Sequence, residues 1–201
     1  MNKGVLFIIS GPSGTGKGTV CSELIKKGDI FLSISATTRD KRLGEEDGVT
    51  YHFKSKEAFE KMIADGEMLE WAQYSGNYYG TPKAEVEKML AAGKNVILEI
   101  EPQGALSVQA KMPEAVLIFI IPPSITELKS RLITRGRENE EQIAERLGAA
   151  VWEFEQAHKY DYIVENDNLE KCVDEISDIM KNVNNMRNKL NVLLEEAKER
   201  K

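Results

Sequence analysis

The run Gly11-Pro12-Ser13-Gly14-Thr15-Gly16-Lys17-Gly18-Thr19 constrains the fold of this chain more than any other segment. It follows Val5–Ser10, a stretch apolar enough to read as a strand buried on both faces. It leads into a helical pattern from Lys17 to Lys27, where Val20, Leu24 and Lys27 recur at spacings of four and three. Strand, glycine turn and helix in that order form the first unit of a parallel sheet with crossover helices. Gly28 stands where a left-handed C-terminal cap would close the helix.

Glycines let the backbone curl so that successive N–H groups converge on one anion, and the positive end of the following helix faces the same point. Lys17 then reaches terminal phosphates as a mobile point charge. Gly11, Pro12, Ser13, Gly14, Thr15, Gly16, Lys17, Gly18 and Thr19 are therefore the expected nucleotide-phosphate loop. One position departs from the usual pattern. The Ser or Thr that follows the lysine and ligates magnesium is replaced by Gly18, so Thr19 or ordered water would have to serve.

Further along, Asn95–Glu101 and Ala115–Ile121 read as buried strands, and Tyr162–Val164 reads as the last strand. Ser124 and Glu127 have capping-box spacing, Leu128 and Leu132 share a face, and Gly136 ends that helix. Between Thr37 and Thr81, short aromatic-rich pieces surround one helix, Lys56–Asp65, as in a small inserted β lobe. The expected class is α/β, a parallel sheet flanked by helices with a small, mostly β lobe and a helical lid. Its core comprises 1–35, 82–128 and 160–182, the lobe 36–81 and the lid about 129–159. Over the last segment, Leu169, Val173, Ile176, Met180, Val183, Leu190 and Leu194 follow a 4–3 spacing broken by Arg187. A long helix with a packed first half and a solvated end accounts for it, and a helical partner along the extension 183–201 is the alternative.

Length and charge limit the alternatives. The 201 residues suit one domain with small inserted lobes. A net charge of −6 argues against nonspecific adhesion to nucleic acid or anionic membrane, so any anion must be held by local clusters. Cys21 and Cys172 lack metal-ligand spacing and read as packed thiols in a reducing compartment. Val5–Ile9 is too short for a signal-peptide core, and no segment spans a bilayer, so a cytoplasmic protein is expected.

A second basic segment, Ser33-Ile34-Ser35-Ala36-Thr37-Thr38-Arg39-Asp40-Lys41-Arg42, is followed by Gly44-Glu45. Two arginines three residues apart can fork onto one phosphate, although a solvated basic turn would look the same. Together with Tyr51-His52-Phe53, EWAQYSGNYYGTP, LEIEPQG and RLITRG, the segment closely resembles the guanylate kinase family, bacterial type. The resemblance runs in order from about Phe7 to Asn182 and does not reach the last helix.

The resemblance implies transfer of the γ-phosphoryl group of ATP to GMP, giving ADP and GDP, in purine metabolism and GMP recycling, with Mg2+. The phosphate loop is then the ATP site. Arg39, Arg42, Tyr51 and Tyr79 match the positions that hold the GMP phosphate, and Ser35, Glu70 and Thr81 those that read the guanine edge. Guanine offers N1–H and a 2-amino group side by side, two donors that one carboxylate accepts together. Glu99 and Glu101 end the Asn95–Glu101 strand, where ligands meet open α/β sheets. Glu101 is expected toward guanine and Glu99 toward the water shell of the metal, although strand-end solvation would also explain both. Pro102 suits the first turn of a following helix.

Lys129, Arg131, Arg135 and Arg137 form a basic run, and Arg146 follows an expected mobile loop, Gly136–Glu141. The resemblance makes this the lid, with Arg131, Arg135 and Arg146 joining Lys17 as catalytic cations. The expected partners are ATP and GMP, without nucleic acid or membrane, in a monomer or weak homodimer. Another small-molecule kinase of the same superfamily, and a non-catalytic scaffold module of the same fold, remain as alternatives. A GTPase switch is disfavoured by the absence of an Asn-Lys-x-Asp-like motif.

Overall fold

The computed structural model describes the chain over 3–74, 76–136 and 139–199, with side chains described as far as Leu193. In chain order the elements are Leu6–Ser10 (β1), Lys17–Lys27 (α1), Ile30–Leu32 (β2), Ala36–Thr37 (β3), His52–Phe53 (β4), Lys56–Ala64 (α2), Met68–Tyr74 (β5) and Asn77–Pro82 (β6). There follow Lys83–Ala91 (α3), Asn95–Glu99 (β7), Pro102–Lys111 (α4), Val116–Ile121 (β8), Ile125–Arg135 (α5), Glu140–Gln156 (α6), Tyr162–Glu165 (β9) and Leu169–Glu199 (α7).

β1 is buried along its whole length because it is the middle strand of a five-stranded sheet, ordered β2-β7-β1-β8-β9. Every pairing in that sheet is parallel. Alternate β1 residues enter opposite cores. Val5, Phe7 and Ile9 pack with Val20, Cys21 and Leu24 of α1 and with Cys172, Val173, Ile176 and Met180 of α7. Leu6 and Ile8 pack with Val86 and Leu90 of α3 and with Ala105 and Val108 of α4. Burying one such side chain contributes about 1.5–3 kcal/mol, so the strand is a rigid post for the loop at its end. Both cysteines are free and buried in the same core, as their spacing predicts.

A second sheet, ordered β4-β3-β6-β5, forms the inserted lobe. Its small core contains Ala36, Phe59 and Met68, and Tyr78 stacks on Phe59 at 5.3 Å between ring centroids.

Some local expectations change. Gly28 is not a left-handed cap: its φ of −168° is extended. β2 begins two residues later and pairs with β7, so the chain must run straight on rather than curl back. The strand expected over Asn95–Glu101 stops at Glu99, and Glu101 becomes the N-cap of α4 with Pro102 in its first turn. Only half of the expected capping box closes on α5. Ser124 Oγ accepts from the Glu127 N–H at 3.0 Å, but the Glu127 carboxylate turns to Arg131.

α6 starts at Glu140, inside the range expected for the loop Gly136–Glu141. Asn139 and Gln142 form a full capping box there: Asn139 Oδ1 accepts from Gln142 N at 2.9 Å and Gln142 Oε1 from Asn139 N at 3.0 Å. Arg137 lies outside the described residues. α7 packs on the sheet through Met180 and leaves Met186, Leu190, Val192 and Leu193 exposed. Leu194 falls beyond the described side chains. Among the described residues no helix is long and apolar enough to cross a membrane.

Candidate active site

β1 ends at Ser10, and the chain must turn beneath β8 to start α1. At Gly11 the φ is 141°, and a Cβ there would lie 2.3 Å from the Ile120 carbonyl oxygen, so only glycine fits. Thr15 closes the turn by donating its hydroxyl to the Pro12 carbonyl at 2.9 Å. Lys17 folds over the loop, its Nζ donating to the carbonyls of Gly11 at 2.5 Å and Pro12 at 3.1 Å. Leu128 and Leu132, the buried face of α5, lie against Gly14 and support the loop from below.

Glu99 lies beside Gly18, the position that departs from the usual pattern. A Cβ at that position would sit 3.3 Å from Glu99 Oε1, so the carboxylate at the end of β7 reaches into the space beside it. Burial raises the Glu99 carboxyl above the ordinary range; Lys17 opposes this and Glu101 adds to it. A carboxylate beside the end of the loop is a hard oxygen donor of the kind magnesium takes, most often through water. Thr19 lies exposed on the next position of α1.

In the lobe, antiparallel pairing sets Glu70 of β5 opposite Thr81 of β6. Thr81 donates its hydroxyl to Glu70 Oε1 at 2.7 Å, and the two residues are 6% and 1% exposed. A carboxylate so enclosed with one side-chain donor keeps acceptor capacity for more N–H groups. Burial pushes its pKa up, against the lowering effect of the Thr81 hydrogen bond. Ala36 pairs with Gly80 and Thr37 with Tyr79, which sets Ser35 at the Thr81 end of the same sheet.

The aromatic residues of the lobe gather around Arg39. Its guanidinium lies 5.5 Å from the Tyr51 ring centroid, and Tyr51 meets Tyr79 edge to face at 6.2 Å. Arg42 is exposed and donates its backbone N–H to Glu45 at 2.8 Å. Arg39, Tyr51 and Tyr79 are thus brought together, with Arg42 tied to them through Glu45.

The helical segment supplies three expected cations in different states. Arg146 of α6 donates to the hydroxyl of Ser13 in the phosphate loop and lies 6.0 Å from the Tyr74 ring of β5. One residue therefore touches both the loop and the lobe. Arg131 gives its Nε–H to Glu127 at 2.8 Å, four residues back on α5. Arg135 is exposed at the end of that helix, where its charge reaches Glu99.

Glu101 makes a different contact from the one expected. Its carboxylate lies 3.9 Å from Lys17 Nζ and beside Glu153 of α6, on the side of the phosphate loop. Glu101 stands at the N-cap position of α4, after the strand has ended, and its side chain makes no capping bond there. Burial and then Glu101 push the Glu153 carboxyl up to about 7, with Lys17 and Arg146 opposing.

Sequence reasoning passed over Asn166 and Gly104. Asn166 follows β9, is 6% exposed, and donates its side-chain N–H to the Thr15 carbonyl at 2.8 Å. A Cβ at Gly16 would come within 2.6 Å of that amide, so the glycine makes room for the asparagine. The only linear hint is a polar residue directly after an apolar strand. Gly104, the last residue of the LEIEPQG motif and near the start of α4, abuts the Glu70 carboxylate, a contact that the motif itself does not reveal.

A glycine loop closed by a lysine at the end of a central parallel strand defines the P-loop nucleotide-binding class. With a second lobe that carries Arg39 and Arg42 joined to the loop through Arg146, the arrangement is that of the phosphotransferases in this class. The chain belongs to the guanylate kinase family, whose sequence model, described as Guanylate kinase, matches residues 3–183. It is 56% identical over 180 residues to a guanylate kinase of Clostridium perfringens strain 13, covering 89% of this chain and 83% of that one. A guanylate kinase of Clostridioides difficile strain 630 is 47% identical over 201 residues, covering 99% and 98% of the two chains, so that similarity takes in the C-terminal extension. The crystal structure of guanylate kinase from Anaplasma phagocytophilum superposes with a TM-score of 0.74 at 34% identity, covering 90% of this chain and 86% of that one.

Proposed function

We propose that this chain carries out the reaction of its family on the site described above, moving the γ-phosphoryl group of ATP onto GMP. The observation that carries this reading is the buried Glu70 carboxylate, bonded to Thr81 and still able to accept N–H donors. Guanine N1–H and its 2-amino group match that acceptor pair, whereas adenine presents an acceptor at N1 and would leave the acid buried and unpaired. A site of this type rejects the wrong base by about 10⁴–10⁵, where an apolar pocket could not.

The nucleophile is a phosphate oxygen of GMP, already anionic, so no general base is needed. The protein supplies alignment and charge. Arg39, Arg42, Tyr51 and Tyr79 hold the acceptor phosphate, and Ser35, Glu70 and Thr81 hold the base. The loop from Gly11 to Thr19 wraps the donor phosphates, and Lys17 leaves the carbonyls of Gly11 and Pro12 to meet them. Segment 129–159 acts as a lid, with Arg146, Arg131 and Arg135 neutralising the transferring group once Arg131 gives up Glu127. Closure also keeps water from taking the phosphoryl group.

Magnesium, when bound, neutralises charge on the donor phosphates. Glu99 is the residue suited to hold its water shell, because its oxygen lies beside Gly18; Thr19 is the weaker candidate. Glu101 is better matched to orienting Lys17 than to reading guanine, given its 3.9 Å approach to Nζ. Two reduced cysteines and nucleotide substrates suit a cytoplasmic setting. The exposed apolar residues of α7 are compatible with a monomer or a weak homodimer, which sedimentation of the full chain against a truncation at Val183 distinguishes.

The deciding experiment is an ADP-release assay with GMP, AMP, CMP and UMP as acceptors. Turnover with GMP far above the others is the expected result, and a preference for AMP would overturn the guanine reading.

A further inference from the structure

Beside the acceptor-phosphate residues stands a carboxylate that the reaction itself does not call for. Glu45 Oε2 accepts from Arg39 Nη1 at 2.9 Å and Glu45 Oε1 from Arg39 Nη2 at 2.7 Å, a two-pronged pair whose side chains are only 17% and 13% exposed. The same Oε2 accepts the backbone N–H of Arg42 at 2.8 Å. The remaining prong of Nη1 goes to the Asp40 carbonyl at 2.6 Å. Tyr51 and Phe53 lie 5.5 and 5.8 Å from the guanidinium carbon.

A negative charge on the cation meant for a phosphate looks self-defeating until the donors are assigned. Guanidinium has five N–H groups arranged along three edges. Glu45 takes the end edge, one hydrogen from each Nη. Asp40 takes the outer hydrogen of Nη1. Glu45 and Asp40 do not use the side edge, Nε–H with the second Nη2–H, a parallel fork of the spacing that grips two oxygens of one phosphate, and the Tyr79 hydroxyl, itself an expected phosphate ligand, lies within hydrogen-bond reach of the guanidinium. With two edges tied and the aromatic rings packed beside it, the guanidinium has one orientation in which to offer the third.

We propose that Glu45 is a positioning residue for the acceptor phosphate: it locks Arg39 so that its side edge faces the incoming anion, and it fixes the backbone at Arg42 in the same turn. This deepens the reading above and rests on Arg39 being a phosphate ligand. Arg39 and the Arg42 backbone N–H hold the Glu45 carboxyl down at about 2, so the clamp stays charged throughout the working pH range. Such preorganisation acts on ground-state binding of the acceptor rather than on transfer itself.

Steady-state kinetics on Glu45→Gln, Glu45→Asp, Arg39→Ala and the double variant Glu45→Gln/Arg39→Ala provide the test. Glutamine keeps the shape but offers one acceptor and one donor where two acceptors are needed. The expected result for Glu45→Gln is a rise of about tenfold in the KM for GMP, with the KM for ATP and kcat within about twofold. Glu45→Asp, which keeps both acceptors, should recover part of that loss. In the Arg39→Ala background the glutamine change should have almost no further effect, because its target is gone.

An unchanged or lowered GMP KM in Glu45→Gln would overturn the proposal, the lowered value marking Glu45 as a competitor for Arg39. Equal losses with and without Arg39 would overturn it as well. If instead Arg39→Ala leaves the GMP KM untouched while the wild type phosphorylates GMP, the placement of the acceptor phosphate on Arg39 fails. Should Glu45→Gln unfold, shown by its thermal melt, the Glu45→Asp and Arg39→Ala/Glu45→Asp pair carries the same comparison.

Discussion

Gly104 and Glu70, on different elements, are in near contact: a Cβ at residue 104 would lie 2.9 Å from Glu70 Oε2. α4 therefore comes down on the buried carboxylate through the one residue type that leaves it in place. Gly104→Ala should favour the helix by about 0.5–1 kcal/mol through propensity while pushing the acid off its bond with Thr81. The expected outcome is a GMP KM raised about tenfold with the ATP KM unchanged and no lower melting temperature. Kinetics and a thermal melt on one preparation check both halves.

Acid should weaken GMP binding earlier than an ordinary carboxylate would allow. Burial raises the Glu70 pKa, and only its ionised form accepts two donors. As pH falls through that raised value the acid takes up a proton and loses acceptor capacity, so the GMP KM climbs while the ATP KM holds. The climb should begin above the roughly 4.3 of a free glutamate. Glu70→Gln should start from a high GMP KM and flatten the profile.

Removing the loop cation should abolish transfer without unfolding the protein. Lys17→Met deletes the ammonium that lies over the carbonyls of Gly11 and Pro12. A fall in kcat of about 10³-fold or more is expected, as for loss of other cations that meet the moving phosphoryl group. Circular dichroism identical to wild type would locate the loss in chemistry, and retention of most activity would remove Lys17 from its role.

Asn166 should matter for ATP rather than GMP. Asn166→Ala leaves the Thr15 carbonyl without its 2.8 Å donor and opens space against Gly16. An unsatisfied buried acceptor costs about 1–3 kcal/mol, so a lower melting temperature and a raised ATP KM are expected together. A GMP KM that rises instead would place its influence elsewhere.

Stability in acid should drop with the Glu45 clamp. Its carboxyl is held at about 2 in the folded chain, below its unfolded value, so the contribution is whole above the ordinary glutamate range and fades as pH falls toward 2. Urea melts from neutral to acid pH should lose stability more steeply in wild type than in Glu45→Gln.

Short-range patterns in the chain were enough to define the phosphate loop, α1 from Lys17 to Lys27, the buried strands and the Ser124 cap, because each depends on spacing within a few residues. The sequence alone also marked Arg39, Tyr51, Glu70, Tyr79 and Thr81, through motifs that carry the family resemblance. Tertiary structure decided what those residues do to one another. Gly28 runs extended because β2 must reach β7, and Glu101 turns to Lys17 because its strand ends two residues early. Gly104 against Glu70, Asn166 against Thr15 and Arg146 between Ser13 and Tyr74 join segments far apart in the chain. Such contacts are set by how helices and strands pack, and side-chain periodicity along a single element holds no information about its neighbour across the core.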